Sequence, residues 1–113
     1  MHLKQQQAFA AAMADARQAY RKRQWDEAFT SLERAHILGQ QHTLAHVASH
    51  WWMLKVGWRR GDWHEVRGQI LRLPAALLLS RLWVPAGNSG GSNVSPFKPM
   101  PLPKDLEKIM AGR

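Results

Sequence analysis

Two stretches of the sequence repeat one pattern of residues, and the repeat limits the folds open to the chain. Arg23-Gln24-Trp25-Asp26-Glu27-Ala28 lies over Gly61-Asp62-Trp63-His64-Glu65-Val66, an offset of 38 positions from Trp25 to Trp63, and Leu32 then lies over Ile70. Self-similarity of this kind is typical of stacked helical units, because one unit cannot bury its apolar face alone. The repeat therefore predicts two helical hairpins that pack against each other.

Apolar residues at spacings of three and four predict four helices before a proline-rich tail. The helices are expected at about 4–21, 25–38, 42–59 and 63–73. Pro74 is expected to open a short fifth helix through Trp83, since proline fits the first turn of a helix. The expected inward faces, in chain order, are Phe9, Met13, Ala16 and Tyr20; Ala28, Phe29, Leu32 and Ala35; Leu44, Val47, Trp51, Leu54 and Trp58; and Val66, Ile70 and Leu73.

Residues 84–113, which we call the strap, differ sharply in composition from the helices. Gly, Ser, Asn and Pro dominate residues 84–103, which predicts a loop. Val94, Phe97, Met100 and Leu102 are spaced through this loop and are expected to pin it onto the helices. Lys104 and Asp105 are expected to open a last short helix through Met110. The predicted organisation is an all-α helical domain over 1–83, with an ordered strap over 84–113 packed on the same domain.

Composition excludes several classes of function. The chain has no cysteine, so it has no disulfide framework, thiolate metal site or cysteine nucleophile. It has no phosphate loop and no His-Glu-x-x-His motif, and we do not expect an enzyme. It also lacks a signal peptide and an apolar run near the ~18 residues that a membrane-spanning helix needs. The expected location is therefore the cytoplasm, with no membrane partner.

Basic residues concentrate at the two repeated turns, in a chain whose formal net charge is +8. We call this set the basic edge; it comprises Arg21, Lys22, Arg23, Lys55, Arg59 and Arg60. Both turns lie at the same end of their hairpins, so the edge would suit an acidic protein partner. No helix-turn-helix, zinc-finger or RNA-reading signature occurs, which makes nucleic acid an unlikely partner. Two repeat units form only a shallow groove, which a homodimer would complete.

A run of histidines carries most of the chemical information in the sequence. His42, His46 and His50 follow one another at steps of four residues, and His36 precedes them. Neighbours four apart share a helix face, so two imidazoles of this run can reach one metal ion. The ends of the run lie roughly 12 Å apart along the helix axis, so one ion takes at most two of the three without help from elsewhere.

The preceding helix can supply that help. The link near Gly39 is short, so the second and third helices are antiparallel neighbours and His36 should lie beside His42 or His46. Glu33 lies one turn before His36. His42 and His46 are the leading ligands, with His36 and Glu33 completing the site and His50 in reserve. Imidazole and carboxylate ligands suit zinc, nickel, cobalt or copper(II). The alternative is that these histidines are hydrogen-bonded structural residues at a helix seam.

Two resemblances bear on function. The repeat resembles the tetratricopeptide repeat over about residues 8–73, which implies a module for binding proteins. The stretches LERAHILGQQHTLAHVASHWWML, RRGDWHEVRGQILRLP, PAGNSGG and KPMPLPKDL resemble a small bacterial family of unknown function. Members of that family are often encoded near heavy-metal resistance genes. The resemblance thus implies a cytosolic transition-metal-binding accessory protein of a metal-stress context; the alternative is an interaction module that uses the basic edge.

Overall fold

The computed structural model describes residues 1–112, which form α-helices joined by turns and one long loop. The helices are α1 (Leu3–Arg21), α2 (Trp25–Gly39), α3 (Thr43–Arg59), α4 (Trp63–Leu79) and α5 (Lys104–Met110). No β-strand occurs within residues 1–112, which confirms the all-α class. Arg113, the last residue of the strap, lies outside the described residues. No helix in the described part has the length and apolar character needed to cross a membrane.

The helices form the two predicted hairpins. α1 packs against α2, α3 packs against α4, and contact between α2 and α3 joins the pairs. The main core lies between α1, α2 and α3, where Leu32, Met53 and Val56 are fully buried. Leu106 of α5 is fully buried in a smaller cluster that includes Leu38 of α2. Burial of one such leucine contributes about 1.5–3 kcal/mol, so the short last helix is held to the hairpins by packing.

The two hairpin turns have the same backbone conformation, as the repeat predicts. Arg23 and Gly61, which superpose in the repeat, both have positive φ, at 59° and 72°. The next residue closes each turn: Gln24 donates its N–H to the Ala19 carbonyl and Asp62 to the Gly57 carbonyl, both at 2.9 Å. The offset of the sequence pattern is therefore also the offset of the structural units.

The predicted break at Pro74 is wrong, because α4 continues through this residue to Leu79. A proline inside a helix removes one backbone hydrogen bond and crowds the preceding turn. The continuation buries Ala76 and Ser80, and Ser80 belongs to the polar cluster described below. Packing and hydrogen bonding of this last turn outweigh the local cost of the proline.

The predicted inward face of α3 is also wrong. Leu44, Trp51 and Trp58 are at least half exposed, with Leu44 at 84%. The buried residues of α3 are Ala45, His46, Ser49, His50, Met53, Val56 and Gly57. Polar side chains can occupy an interior face when each one has a hydrogen-bond partner. Small residues also let α4 approach closely, since a Cβ at Gly57 would lie 3.2 Å from the Glu65 side chain.

Polar contacts order residues 88–98 of the strap. The Asn88 side chain donates to the carbonyls of Ser95 and Lys98, both at 2.8 Å, and accepts from the Gly90 N–H. Arg72 of α4 donates to the Val94 carbonyl at 2.8 Å. The prediction that Phe97 pins the loop is wrong, because Phe97 is 71% exposed. Asn88 thus ties the loop to itself where Phe97 was expected to pin it, whereas Leu102 packs against the cluster of Leu38 and Leu106 as predicted.

Candidate metal centre

Three histidines from two helices converge in the interior; we call them the histidine cluster. His36 lies on α2, and His46 and His50 lie one turn apart on α3. The Nε2 atom of His46 lies 3.0 Å from Nε2 of His36 and 3.0 Å from Nε2 of His50. All three residues are buried, with exposed fractions of 3%, 8% and 3%. Each can direct one ring nitrogen at a common point, and these nitrogens lie within 4.8 Å of one another.

The other ring nitrogen of each histidine contacts an oxygen atom. Nδ1 of His36 lies 2.8 Å from the Asn88 carbonyl, which can only accept a hydrogen bond. Nδ1 of His46 lies 2.8 Å from the Ser80 hydroxyl, whose own hydrogen is donated to the Ala76 carbonyl. Both imidazoles must therefore donate from Nδ1. This assignment leaves a lone pair, and no hydrogen, on the Nε2 atoms of neutral rings.

The same conclusion holds for His50 because the amide of Gln69 has a fixed orientation. The Gln69 NH₂ group donates to Glu65 at 2.6 Å and to the Gly90 carbonyl at 3.0 Å. Its oxygen must then face His50, whose Nδ1 donates to it at 2.6 Å. Gln69 is fully buried, so no solvent competes for these bonds. The Nε2 atom of His50 thus also presents a lone pair.

The Nε2 lone pairs of His36 and His50 each face that of His46 at 3.0 Å, and such lone pairs repel unless a cation lies between them. Bonds of ~2.0–2.1 Å from tetrahedral zinc to three imidazoles would place their nitrogens about 3.4 Å apart, close to the observed spacing. Histidines that bind metals characteristically donate their other N–H to a carbonyl or carboxylate, which sets the tautomer and ring direction. The histidine cluster has both features.

Burial keeps the imidazoles neutral. It lowers the pKa of His46 to about 4. It also lowers the pKa of His50 to about 3, together with the His46 ring and against the Gln69 hydrogen bond. Burial and the two neighbouring rings hold the pKa of His36 well below its usual value. Neutral imidazole is the form that binds a metal ion, so the cluster is in its binding form near neutral pH.

The glycine-rich part of the strap forms one wall of the histidine cluster. Gly90 has a φ of 87° and lies so close to His36 that a Cβ there would be 2.6 Å from the imidazole ring. Asn88, two residues earlier, is 2% exposed and accepts from His36 through its carbonyl. The glycines of residues 87–93 are the signal by which the sequence marks this wall, because glycine is used where backbone approaches another group closely.

Two residues of the predicted ligand set lie away from the cluster. His42 is the N-cap of α3 and is only partly buried; burial and the N-terminal amino group lower its pKa. Glu33 faces a separate polar depression, where it lies with Glu65, Arg60 and Asp26. Burial and the Glu65 charge raise the pKa of Glu33, against a hydrogen bond from Ser89. The structure therefore brings together His36, His46 and His50, with His50 in the place expected for His42.

The segment Gly87-Asn88-Ser89-Gly90-Gly91 matches the Gly-x-Ser-x-Gly sequence motif of a nucleophile elbow. A nucleophile elbow requires a sharp turn from a strand into a helix. Here the segment lies in the loop between α4 and α5. The arrangement does not place Ser89 in the role of a nucleophile.

The charges of the basic edge differ in accessibility. Arg59 stacks over Tyr20 and Trp25 near the first turn, and Lys55 lies 3.8 Å from the centre of the Trp52 ring. Arg60 binds Asp26 at 3.1 Å and Asp62 at 3.5 Å, so two carboxylates offset its charge. The three residues of the first turn, Arg21, Lys22 and Arg23, are partly or fully exposed to solvent.

Comparison with known proteins places the chain in a family without an assigned activity. No curated protein and no solved structure matches the chain. A family model described as a protein of unknown function, DUF3703, matches residues 3–110. The matched range includes all five helices and the whole histidine cluster. The chain therefore belongs to the DUF3703 family.

Proposed function

We propose that this protein binds a transition metal ion through the Nε2 atoms of His36, His46 and His50. The observation that supports the proposal is the mutual approach of three Nε2 lone pairs in the interior, at 3.0 Å from His46 to each neighbour. A hydrogen-bonded seam would pair a donor with an acceptor at each contact. Here the hydrogen of each neutral ring is on Nδ1 and is donated to an oxygen atom. No hydrogen remains on the Nε2 atoms to form hydrogen bonds between the rings.

The donor set favours borderline metal ions. Three imidazoles without a thiolate suit zinc, nickel, cobalt or copper(II) and disfavour copper(I). The hydrogen bonds from Nδ1 to oxygen hold each ring in place and raise the basicity of Nε2, which strengthens metal binding. Glu65 extends this support through Gln69 to His50.

The wider role that we propose is that of a cytosolic accessory protein of a metal-stress context, with binding rather than catalysis as its activity. The support for this context is the resemblance of four sequence stretches to a family often encoded near heavy-metal resistance genes. The support for metal handling as such is the histidine cluster. A protein partner would then receive or deliver the ion.

Calorimetric titration of the metal-free protein with zinc, nickel, cobalt and copper(II) tests the proposal. We expect one ion per chain and a Kd below ~100 µM for at least one metal. Affinity should fall steeply only below about pH 5, where protons begin to compete for the imidazoles, because the pKa values of His46 and His50 in the folded protein are about 4 and about 3. His46→Ala should abolish binding. His42→Ala is the matched control, since His42 lies on the same helix outside the cluster, and it should leave the affinity unchanged.

Two results would contradict metal binding at this site. One is the failure of all four metals to bind more tightly than ~100 µM. The other is loss of binding in His42→Ala with retention in His46→Ala, which would move the metal to a surface site on α3.

A second candidate function is a protein-interaction module that binds an acidic partner through the basic edge, alone or as a homodimer. The supporting observation is the exposed row Arg21, Lys22 and Arg23, beside a turn where Lys55 and Arg59 lie over aromatic rings. Cations held against aromatic faces keep a fixed position for a partner carboxylate.

Charge reversal separates this function from metal binding. Replacing Arg21, Lys22 and Arg23 by glutamate should abolish salt-sensitive binding of a glutamate-rich peptide, measured by fluorescence anisotropy at low and high ionic strength. Metal titration of the same variant should match the wild type, because these residues lie at the hairpin turn and not in the cluster. Equal peptide binding by both proteins would show that the basic edge is only a solvated surface.

A further inference from the structure

Two rows of large apolar side chains lie exposed along the second hairpin, one on α3 and one on α4. Trp58 of α3 and Trp63 of α4 join the rows, with their ring centres 5.1 Å apart. Successive members of each row are seven residues apart, so they share a helix face. We call the two rows the outer face; its members are at least half exposed and comprise Leu44, Trp51 and Trp58 of α3 and Trp63, Ile70 and Leu77 of α4.

The outer face points away from the first hairpin. Met53 of α3 is fully buried in the core that α3 shares with α1 and α2. Trp51 lies two residues before Met53, so its side chain points about 160° away from that of Met53. Because α3 and α4 pack against each other, their two rows run side by side. The outer face is therefore the place where a third unit would stack if the repeat continued.

The outer face is larger than the apolar patches that monomers usually expose. With about 200 Å² for one large side chain, the exposed fractions of its six members amount to roughly 700 Å². Leu71 and Leu78, which are 74% and 73% exposed, extend it along α4. The largest apolar patch of a typical monomer covers about 300–600 Å², and each partner of a standard interface contributes about 800 Å². The outer face thus has the area that one half of a stable dimer needs.

The two ends of the stack differ, and this difference selects a second copy of the chain as the partner. Terminal units of a helical repeat keep a protein soluble through a polar outward side. The first hairpin has such a side, because Leu3 is the only exposed large apolar residue within α1 and α2, both of which the structure describes in full. A head-to-tail stack would have to join the apolar outer face to this polar side. Association of two outer faces is closed, and it leaves a first hairpin at each end.

We propose that two copies of this chain form a two-fold dimer through the outer face, with α3 and α4 of each copy packed against those of the other. Apolar rows at a spacing of seven residues suit the packing of a four-helix bundle. Trp51 and Ile70 are the middle members of their rows, which places them at the buried centre of the interface, where binding energy concentrates. The inference is independent of the proposed metal binding, which uses other side chains of α3.

Charge opposes the dimer and distinguishes it from other associations. Each chain has a formal net charge of +8. Helix α3 has no acidic residue, and Arg67 lies exposed on α4 between Trp63 and Ile70. Salt screens the repulsion between like charges. The dimer should therefore tighten as the ionic strength rises, whereas binding of an acidic peptide or an anionic lipid surface should weaken.

Sedimentation equilibrium of the full chain in chelator, over concentrations of about 1–300 µM, tests the proposal. We expect a monomer–dimer equilibrium with a Kd in the micromolar range or below, as for other interfaces of this size. Raising sodium chloride from about 0.1 M to about 0.5 M should lower the Kd several-fold. Chelator keeps the result independent of metal binding.

Two variants and a matched control locate the interface. Trp51→Glu should raise the Kd about 1,000-fold, because each dimer loses two central tryptophans. Ile70→Glu tests the α4 row and should also weaken the dimer strongly. Leu3→Glu changes the net charge equally, at a 68% exposed position on the first hairpin, and should dimerise as the wild type does. All three positions are at least half exposed, so each variant should keep the helical circular dichroism spectrum of the wild type.

Three results would overturn the dimer through the outer face. One is a wild-type protein that remains monomeric at about 300 µM. Another is a dimer that both Trp51→Glu and Ile70→Glu leave intact, because a different surface would then hold the copies together. The third comes from cosedimentation with phosphatidylglycerol vesicles. If a monomeric wild type binds them, and Trp51→Glu loses this binding while Leu3→Glu keeps it, the outer face binds a lipid surface instead.

Discussion

A transition metal present at 100 times its Kd is expected to raise the melting temperature of the wild-type protein by about 10 °C. The unfolded chain holds His36, His46 and His50 apart, so the ion binds the native state and stabilises it by about 2.7 kcal/mol. For a domain of this size, 1 kcal/mol corresponds to ~4–8 °C. Thermal melts followed by circular dichroism, with metal and with chelator, measure the shift.

Variants assign the shift to the cluster. His46→Ala should lose most of the metal-dependent rise, because it removes the nitrogen that lies 3.0 Å from both others. His42→Ala should keep the whole rise. With chelator, His46→Ala should melt within a few degrees of the wild type, since removal of one of three facing lone pairs relieves their repulsion. A large loss in chelator, combined with no effect of metal on the wild type, would instead identify His46 as a structural seam residue and favour the interaction module.

The repeat and the turns were predictable because they depend on local chemistry. In each repeat unit a turn is followed by a tryptophan, Trp25 or Trp63, and then by apolar residues at helical spacing. In the structure the matching turn residues Arg23 and Gly61 both have positive φ. The meeting of His36 with His46 was predictable too, since a short link makes α2 and α3 antiparallel neighbours. Both inferences need only helix geometry and the length of one link.

The inward face of α3 was not predictable from hydrophobicity. Leucine and tryptophan ordinarily take the buried face of a helix, yet Leu44 and Trp58 are exposed while His46 and His50 are buried. The two histidines can be buried because residues outside α3 hydrogen-bond to them: Ser80 to His46 and Gln69 to His50. Those partners are 34 and 19 residues away in sequence, and no local pattern connects them.

The dependence on distant partners also explains why His42 was predicted as a ligand in the place that His50 occupies. Sequence spacing could not choose between His42 and His50, because both lie four residues from His46 on adjoining faces. The choice follows from where α4 and the strap lie. Gln69 and Gly90 meet on the His50 side of α3, whereas His42 lies at the helix start as its N-cap. The rotation of α3 against α4 is a tertiary property.

The metal-free protein is expected to lose stability steeply as the pH falls below about 6.5, the ordinary pKa of histidine. In the native state His46 and His50 have pKa values of about 4 and about 3, and that of His36 is also lowered. Between these values and 6.5 the unfolded chain binds more protons than the native one, so stability falls as the pH falls. Each histidine contributes a slope of about 1.4 kcal/mol per pH unit, or about 4 kcal/mol for the cluster. A domain with about 5 kcal/mol of stability should therefore unfold near pH 5, and one with about 10 kcal/mol near pH 4.

Urea unfolding of the chelator-treated protein at about pH 7, 6 and 5 measures this slope, and His50→Asn attributes it to the cluster. Asparagine keeps an N–H near the Gln69 oxygen but does not titrate, so the slope should fall by about 1.4 kcal/mol per pH unit. Glu33, whose pKa is raised, acts in the opposite sense near its own pKa and is the same in both proteins, so the difference between them isolates His50. Equal slopes would mean that His50 is protonated as easily in the folded protein as in the unfolded chain. The three Nε2 atoms could then share protons, and the need for a metal ion among them would disappear.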